Sequence, residues 1–352
     1  MAPPAYFHAK NETQRVQQAL EATGREMEMM KRRDFLRVSA GGLVAAPFVS
    51  TSAFAAYPEK SVRWLVGYVP GGTTDILARL VGQYLSEKTG HQFVIENKAG
   101  AGNNLAVEAV LAAPADGYTV LLVNPANGIN ATLYKKLSFN FVRDIAPVGG
   151  LMRVPNVMVV NNDVPAKTVK EFIDHVKANP GKVNMASSGN GTSVHLSGEL
   201  FMAMTGVKMT HVPYRGSNPA LTDIMGGQVQ VLFDNMPSSI ELIKGGKIRA
   251  LGVTTEKRAS YFPDLPTVAE TVPGYEASAW FGMGVKTGTP PDIIATLNKL
   301  IEEALADPKI KQRIADLGGA PMGGTPDDFG KIIASETAKW KKVVEYSGAS
   351  VE

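Results

Sequence analysis

Apolar and polar positions along this chain switch between two periods. The run Val62-Arg63-Trp64-Leu65-Val66 is apolar enough to read as a buried strand, and Ile76, Leu77, Leu80, Val81, Tyr84 and Leu85 then recur on one face of a helix. Between them, Gly67-Tyr68-Val69-Pro70-Gly71-Gly72-Thr73-Thr74-Asp75 supplies a glycine turn and a hydroxyl-rich helix start. The alternation repeats. Gln92-Phe93-Val94-Ile95 and the run at 118–123 read as strands, the second ending in a loop, Asn124-Pro125-Ala126-Asn127-Gly128. A second series opens at Val157-Met158-Val159-Val160, with a helix over 168–178 and a strand at Val183-Asn184-Met185-Ala186. The loop 187–193 then leads into a helix carrying His195. Further strands are expected near His211, at 229–233 and at 247–253, and a last extended run at 277–285. Three helices close the chain. Thr289 is expected as the N-cap of the first, and no strand is expected between the last two, at 309–317 and 327–346. Strands alternating with helices predict parallel βαβ units, and 352 residues predict two α/β domains.

Ligands of open parallel sheets lie beyond the carboxyl ends of the strands. The first N–H groups of each following helix have no internal acceptor, and the helix dipole adds partial positive charge there. The loops at 69–75 and 187–193 are therefore two candidate seats for an anion. Thr73 or Thr74 would equally serve as a plain helix cap, with the glycines making a turn. Arg215, in Pro213-Tyr214-Arg215-Gly216, could pair with a carboxylate or lie in solvent. Asp234 ends a strand, where it would accept from a ligand hydroxyl or pin a neighbouring loop. His195, one turn into its helix, suits packing or hydrogen bonding better than catalysis.

Composition narrows the function by exclusion. The chain is 44% hydrophobic and 20% charged, with no cysteine, so thiol chemistry and disulfides are out. Seven of its 36 Lys/Arg and five of its 33 Asp/Glu precede residue 56, so the remainder carries a net charge of only +1. That balance gives no field to attract nucleic acid. The five histidines have no metal-site spacing. Gly100-x-Gly102 lacks the third glycine of a dinucleotide fingerprint, and Gly191-Thr192-Ser193-Val194-His195 is not a nucleophile elbow. Neither a catalytic constellation nor a cofactor motif emerges, and no enzyme activity is expected. Lys31-Arg32-Arg33-Asp34-Phe35-Leu36 precedes an uncharged run at 38–54 that ends in Ala53-Phe54-Ala55. This resembles a twin-arginine export signal cleaved near Ala55, with Met30 as the true start.

Five ordered blocks also carry a family resemblance. They are the stretch from Val66 through Arg79, then Glu96-Asn97-Lys98-Ala99-Gly100-Ala101-Gly102, then Pro114-Ala115-Asp116-Gly117-Tyr118-Thr119. The fourth runs from Tyr214-Arg215-Gly216 to Gly226-Gly227-Gln228-Val229, and the fifth is Leu265-Pro266-Thr267-Val268-Ala269-Glu270. They resemble the extracytoplasmic solute receptors of tripartite tricarboxylate transporters, the Bug family. The resemblance implies a periplasmic-binding-protein fold (type II-like) of two Rossmann-like α/β domains with a ligand cleft between them. It implies domains at 56–154 plus 275–352 and at 155–274, after an N-terminal signal region at 1–55. The function implied is periplasmic capture of a small carboxylate by domain closure and its delivery to membrane transporter subunits, the receptor acting as a monomer. A receptor that presents its ligand to a sensor kinase would use the same closure, and an exported two-domain enzyme is a third reading. Carried over by matching blocks, the ligand contacts are Tyr68, Gly72, Thr73 and Thr74 on one domain. Ser187, Ser188, Gly189, Thr192 and Ser193 face them from the other, and Arg215 and Asp234 are added.

Overall fold

The computed structural model describes residues 57–259 and 261–351. The twin-arginine segment, Met30 and the cleavage position near Ala55 lie outside the described residues. Strands β1 (Val62–Val66), β2 (Phe93–Asn97) and β3 (Thr119–Val123) pair in parallel in the order β2-β1-β3. Helices α1 (Thr73–Thr89) and α2 (Asn104–Ala112) connect them. β3 is buried throughout, and β1 exposes only Arg63, whose guanidinium donates to Glu96 on β2 at 2.7 Å. Strands covered on both faces need continuous apolar runs, which is why these segments were readable.

A second parallel group is built from β5 (Asn184–Ser187), β6 (Thr210–Pro213) and β7 (Val231–Asn235). Its helices are α5 (Val169–Ala178), α6 (Ser193–Thr205), α7 (Ser217–Met225) and α8 (Met236–Lys244). The two groups are joined by β4 (Ile145–Val160), a 16-residue strand. From Ile145 to Pro155 it pairs with β9 (Ser278–Lys286), which itself pairs with β3. From Asn156 onward it pairs with β7, and from Val157 also with β8 (Arg249–Val253). One strand therefore belongs to both halves, and Ala56–Glu352 forms one compact unit.

Each half has its own core. Trp64, Leu77, Leu122, Phe281 and Leu297 pack together in one, with α9 (Pro291–Ala306) supplying Leu297. Met158, Phe172, Phe201, Phe233 and Tyr275 pack in the other. The terminal helix α11 (Pro326–Ser347) serves both: Phe329 meets Trp280 edge-on at 5.7 Å, whereas Trp340 and Val344 enter the second core.

Local expectations fail at four places, each for a physical reason. The segment 124–128 is no loop but the start of α3 (Pro125–Leu133), which precedes the single-turn α4 (Phe141–Asp144). The Asn124 side chain accepts from Ala126 N and that of Asn127 accepts from Asn124 N, closing a capping box. Neither Thr73 nor Thr74 caps α1; Gly72 is the N-cap and no side chain caps it. Thr289 is displaced as N-cap by Pro290, and its hydroxyl instead donates to Lys286 O at 2.8 Å. Between α10 (Pro308–Asp316) and α11 lies β10 (Ala320–Gly323), paired antiparallel with β4. Its sequence, Ala-Pro-Met-Gly, has no alternation that would mark a strand.

Candidate ligand-binding site

Five helices begin at one small cavity. Tyr68, Gly72, Thr73 and Thr74 bring the loop before α1 and its first turn to the wall, and Asn124 and Pro125 bring the start of α3. From the other half come Ser188, Thr192 and Ser193 at the start of α6, Ser217 at α7 and Asn235 at α8, with Phe281 of β9 completing the lining. No lining residue carries a formal charge. The polarity of the cavity therefore comes from neutral side chains and helix termini. The N-caps of α1, α7 and α8 (Gly72, Gly216 and Asn235) make no side-chain cap, so their first amides keep their donors free of side-chain acceptors. In α6, by contrast, Thr192 accepts from His195 N. Convergent helix N-termini with oriented N–H groups are suited to hold an anion without a cationic side chain.

Some lining groups still have bonding capacity. Asn124 Oδ1 accepts from Ala126 N at 3.1 Å and from the Tyr68 hydroxyl at 3.2 Å, while its Nδ2 is buried with no partner. A buried amide nitrogen on a cavity wall calls for an acceptor inside the cavity. Burial also pushes the Tyr68 phenol well above its ordinary pKa, which keeps it a neutral donor. The cavity itself is about 20 Å³, room for about one water. Beyond Tyr68 and Ser188 a second space of about 440 Å³ opens, lined in part by Gly102, Tyr134, Gly189, Asn190 and Arg215.

The residues singled out from the sequence divide into three places. Tyr68, Gly72, Thr73, Thr74, Ser188, Thr192 and Ser193 lie on the inner wall. Gly189 and the exposed Arg215 lie at the outer space, and Arg215 O accepts from Val69 N across the cleft at 3.2 Å. Ser187 and Asp234 stand behind the wall, each fully buried. Asp234 accepts from Ser217, Ser238 and Ser239 hydroxyls, each at 2.6 Å, and so ties together the starts of α7 and α8. Burial raises its pKa, against the pull of the three serine donors. Ser187 Oγ lies 2.6 Å from His211 Nε2 and accepts from Gly189 N at 3.2 Å, bracing the loop rather than facing the cavity.

His195, Glu199 and His211 bring potential metal-ligand atoms within 4.8 Å of one another. The two rings are stacked at 4.0 Å with planes 16° apart, so their in-plane lone pairs do not converge on one point. Gly191 N donates to His195 Nδ1 at 3.3 Å, and His195 Nε2 lies 3.3 Å from Glu199 Oε1. Hydrogen bonding accounts for the cluster, which holds the loop 187–191 from behind.

Sequence reasoning did not name Asn124, Pro125, Ser217, Asn235 or Phe281 as ligand contacts, although it placed the loops 124–128 and 214–217 at the cleft. For the first two the signal was present, since Asn followed by Pro is a helix N-cap with Pro at the first position. Asn235 followed by Met236-Pro237 carries the same mark. Nothing local marked Phe281, which the pairing of β9 with β4 brings to the wall, opposite Met152.

Residues 77–349 match the family model described as the tripartite tricarboxylate transporter family receptor. Among solved structures, R. palustris Rpa4515 with adipate is 38% identical with a TM-score of 0.82, covering 84% of this chain and 99% of that one. The periplasmic binding protein BugD is 31% identical with a TM-score of 0.81, covering 84% and 100%. MatC (Rpa3494) from Rhodopseudomonas palustris, with bound malate, is 30% identical with a TM-score of 0.79, covering 82% and 100%. Among the described residues no helix is long and apolar enough to cross a membrane. With two α/β halves around a cavity ringed by helix N-termini, and a family match over most of its length, the chain belongs to the receptors of the tripartite tricarboxylate transporter family, the Bug proteins.

Proposed function

We propose that this protein is a periplasmic receptor that captures a small carboxylate and delivers it to the membrane subunits of a tripartite tricarboxylate transporter. One observation carries the reading: five helix N-termini face a single cavity whose lining has no charged side chain. Such a lining favours an anion through oriented N–H groups and excludes a cation by the same dipoles. The adipate and malate bound by Rpa4515 and MatC support a carboxylate as that anion. Tyr68, Gly72, Thr73, Thr74 and Asn124 would hold it from one side, and Ser188, Thr192, Ser193, Ser217 and Asn235 from the other. Gly189 and Arg215 would act at the outer space, and Ser187 and Asp234 by holding the wall. The domains are 56–154 with 275–352, and 155–274; the change of β4 partners at Pro155 and Asn156 supports that division. Export by the twin-arginine route, cleavage near Ala55 and action as a monomer complete the reading.

The test is a thermal-shift screen of the purified chain against mono-, di- and tricarboxylates, with Gly72→Val alongside. A ligand that binds only the folded state raises Tm by mass action. An added Cβ at Gly72 meets Ser217 N at 3.7 Å and Ser217 Cβ at 3.8 Å, ordinary contact distances, and the γ-methyl groups of valine would crowd the seat. A carboxylate shift in the wild type that Gly72→Val loses is expected. A full shift in the variant would remove the anion from this seat, and shifts with cations alone would overturn the receptor reading.

A further inference from the structure

The chain contains two Asn-Gly pairs, Asn127-Gly128 and Asn190-Gly191. They sit in opposite settings. Asn127 is 2% exposed inside α3, and its carbonyl accepts from Asn124 N and Asn103 Nδ2. Asn190 is half-buried in the turn before α6 and borders the outer space, and its side chain makes no hydrogen bond among the described residues. The nitrogen of Gly191 is the group next to it, and that N–H points at His195 Nδ1, 3.3 Å away. Glu199 Oε1 lies 3.3 Å from the other ring nitrogen, which places the ring proton on Nε2 and leaves a lone pair on Nδ1. Gly191 has φ +77° and is buried, with Asn130 and Leu133 of α3 packed where a Cβ would stand, so only glycine fits beside Asn190. Burial and the nearby His195 hold the stacked His211 down to a pKa of about 3, so His211 does not compete for the proton.

From this geometry we infer that Asn190-Gly191 is a self-modification site, at which His195 acts as the base for deamidation in the wall of the cleft. The Gly191 nitrogen attacks Asn190 Cγ. An N–Cγ bond forms, the Cγ–Nδ2 bond breaks, and His195 Nδ1 takes the amide proton and returns it to the leaving ammonia. The five-membered imide so formed is opened by water to aspartate or isoaspartate. Atoms and charge balance as amide plus water giving carboxylate plus ammonium, with no redox step. The product carries a new negative charge, and isoaspartate an extra backbone carbon, where Asn190 O faces Gly102. A Cβ built on Gly102 would fall 2.2 Å from that oxygen, so the two rims already meet without slack. A carboxylate at this position would disfavour both closure and a bound anion. The modification does not depend on the receptor reading; only this consequence does.

The experiment is peptide mapping by mass spectrometry of the full chain incubated in ammonia-free buffer at pH 8, with isoaspartate detected by enzymatic methylation. Conversion at Asn190 is expected at least ~10-fold faster than at Asn127, and His195→Gln is expected to slow it ~100-fold, the contribution of a positioned base. Equal rates at Asn190 and Asn127 in the wild type overturn the site, whatever the variant does. Wild-type conversion in a folded His195→Gln overturns the role of His195. Asn190→Asp then reads the consequence: affinity for the carboxylate found in the screen should fall ~10-fold or more, as for like charges brought together. Rapid conversion with unchanged affinity would keep the site and overturn its effect on binding.

Discussion

Asn124 shows how one side chain can serve the fold and the site at once. Its oxygen caps α3 and accepts from Tyr68, while its nitrogen is buried on the cavity wall without an acceptor. The two roles separate in Asn124→Asp. Aspartate caps a helix about as well as asparagine, so the cap itself should change by less than about 0.5 kcal/mol. The donor, however, becomes a negative charge facing the bound anion, and carboxylate affinity should fall ~10-fold or more. Paired measurements of Tm and Kd check this, and equal affinities would show that Nδ2 does not reach the ligand. Residues such as this were poorly legible. An asparagine after a strand reads as a turn, and only the position of the following proline hinted at a helix. The threonines and serines of 72–74 and 187–193 were legible because small hydroxyl residues between an apolar run and a helical period are unusual outside a helix start. What the sequence could not separate is wall from support. Ser187 and Ser188 are neighbours, and only the strand's pleat sends one inward to His211 and leaves the other at the cavity.

The unit that organises the first half is β1, its loop and α1. Gly71 has φ +91°, and its N–H donates to Asp75 Oδ2 at 3.0 Å. The same carboxylate accepts from Arg79 Nε at 3.0 Å and Nη2 at 2.9 Å, and from Asn97 Nδ2 at 3.0 Å. Asp75 thus fixes the loop that leads to Gly72. Burial works to raise its pKa, but the donors from Arg79, Gly71 and Asn97 outweigh it and hold the carboxyl below its ordinary value. The sign follows. Between the two values the unfolded chain binds more protons than the folded one, so acid favours unfolding. This contribution is present above the unfolded pKa of about 3.9 and is lost as pH falls through the folded value. Urea unfolding of the wild type should therefore lose stability more steeply between pH 5 and 3 than that of Asp75→Asn. Parallel pH profiles would mean that Asp75 is not held in its charged form. Elements of this kind were the most legible part of the chain, because period and turn residues agree over 62–90. The long β4 was only half visible, since Pro147, Gly149 and Gly150 interrupt the apolar run where it pairs with β9.

At the scale of the whole molecule, the cavity is too small for the function its lining implies. Its 20 Å³ suits about one water, whereas a carboxylate with several carbons needs more. The described arrangement is closed, and the two halves touch across the cleft. Val69 N donates to Arg215 O at 3.2 Å, and Thr73 Oγ1 lies 3.1 Å from Ser238 Oγ, which itself donates to Asp234. On the proposed reading a ligand enters when these contacts part, with β4 as the strand that passes between the halves. The buried Asp234 is part of this latch through Ser238, although it never reaches the cavity. Thr73→Val removes the bond to Ser238, and with it any bond from the Thr73 hydroxyl to the ligand, while keeping the shape of the side chain. The loss is worth about 0.5–1.5 kcal/mol, so affinity should fall ~2–10-fold. Most of that change should appear as faster dissociation, because the latch forms after encounter. Stopped-flow release of the carboxylate found by thermal shift measures the rate. X-ray scattering with and without that ligand measures the closure, with a smaller radius of gyration expected when it is bound. An unchanged radius together with unchanged dissociation in Thr73→Val would mean that the halves do not part, and that the ligand enters through the outer space beside Tyr68 instead.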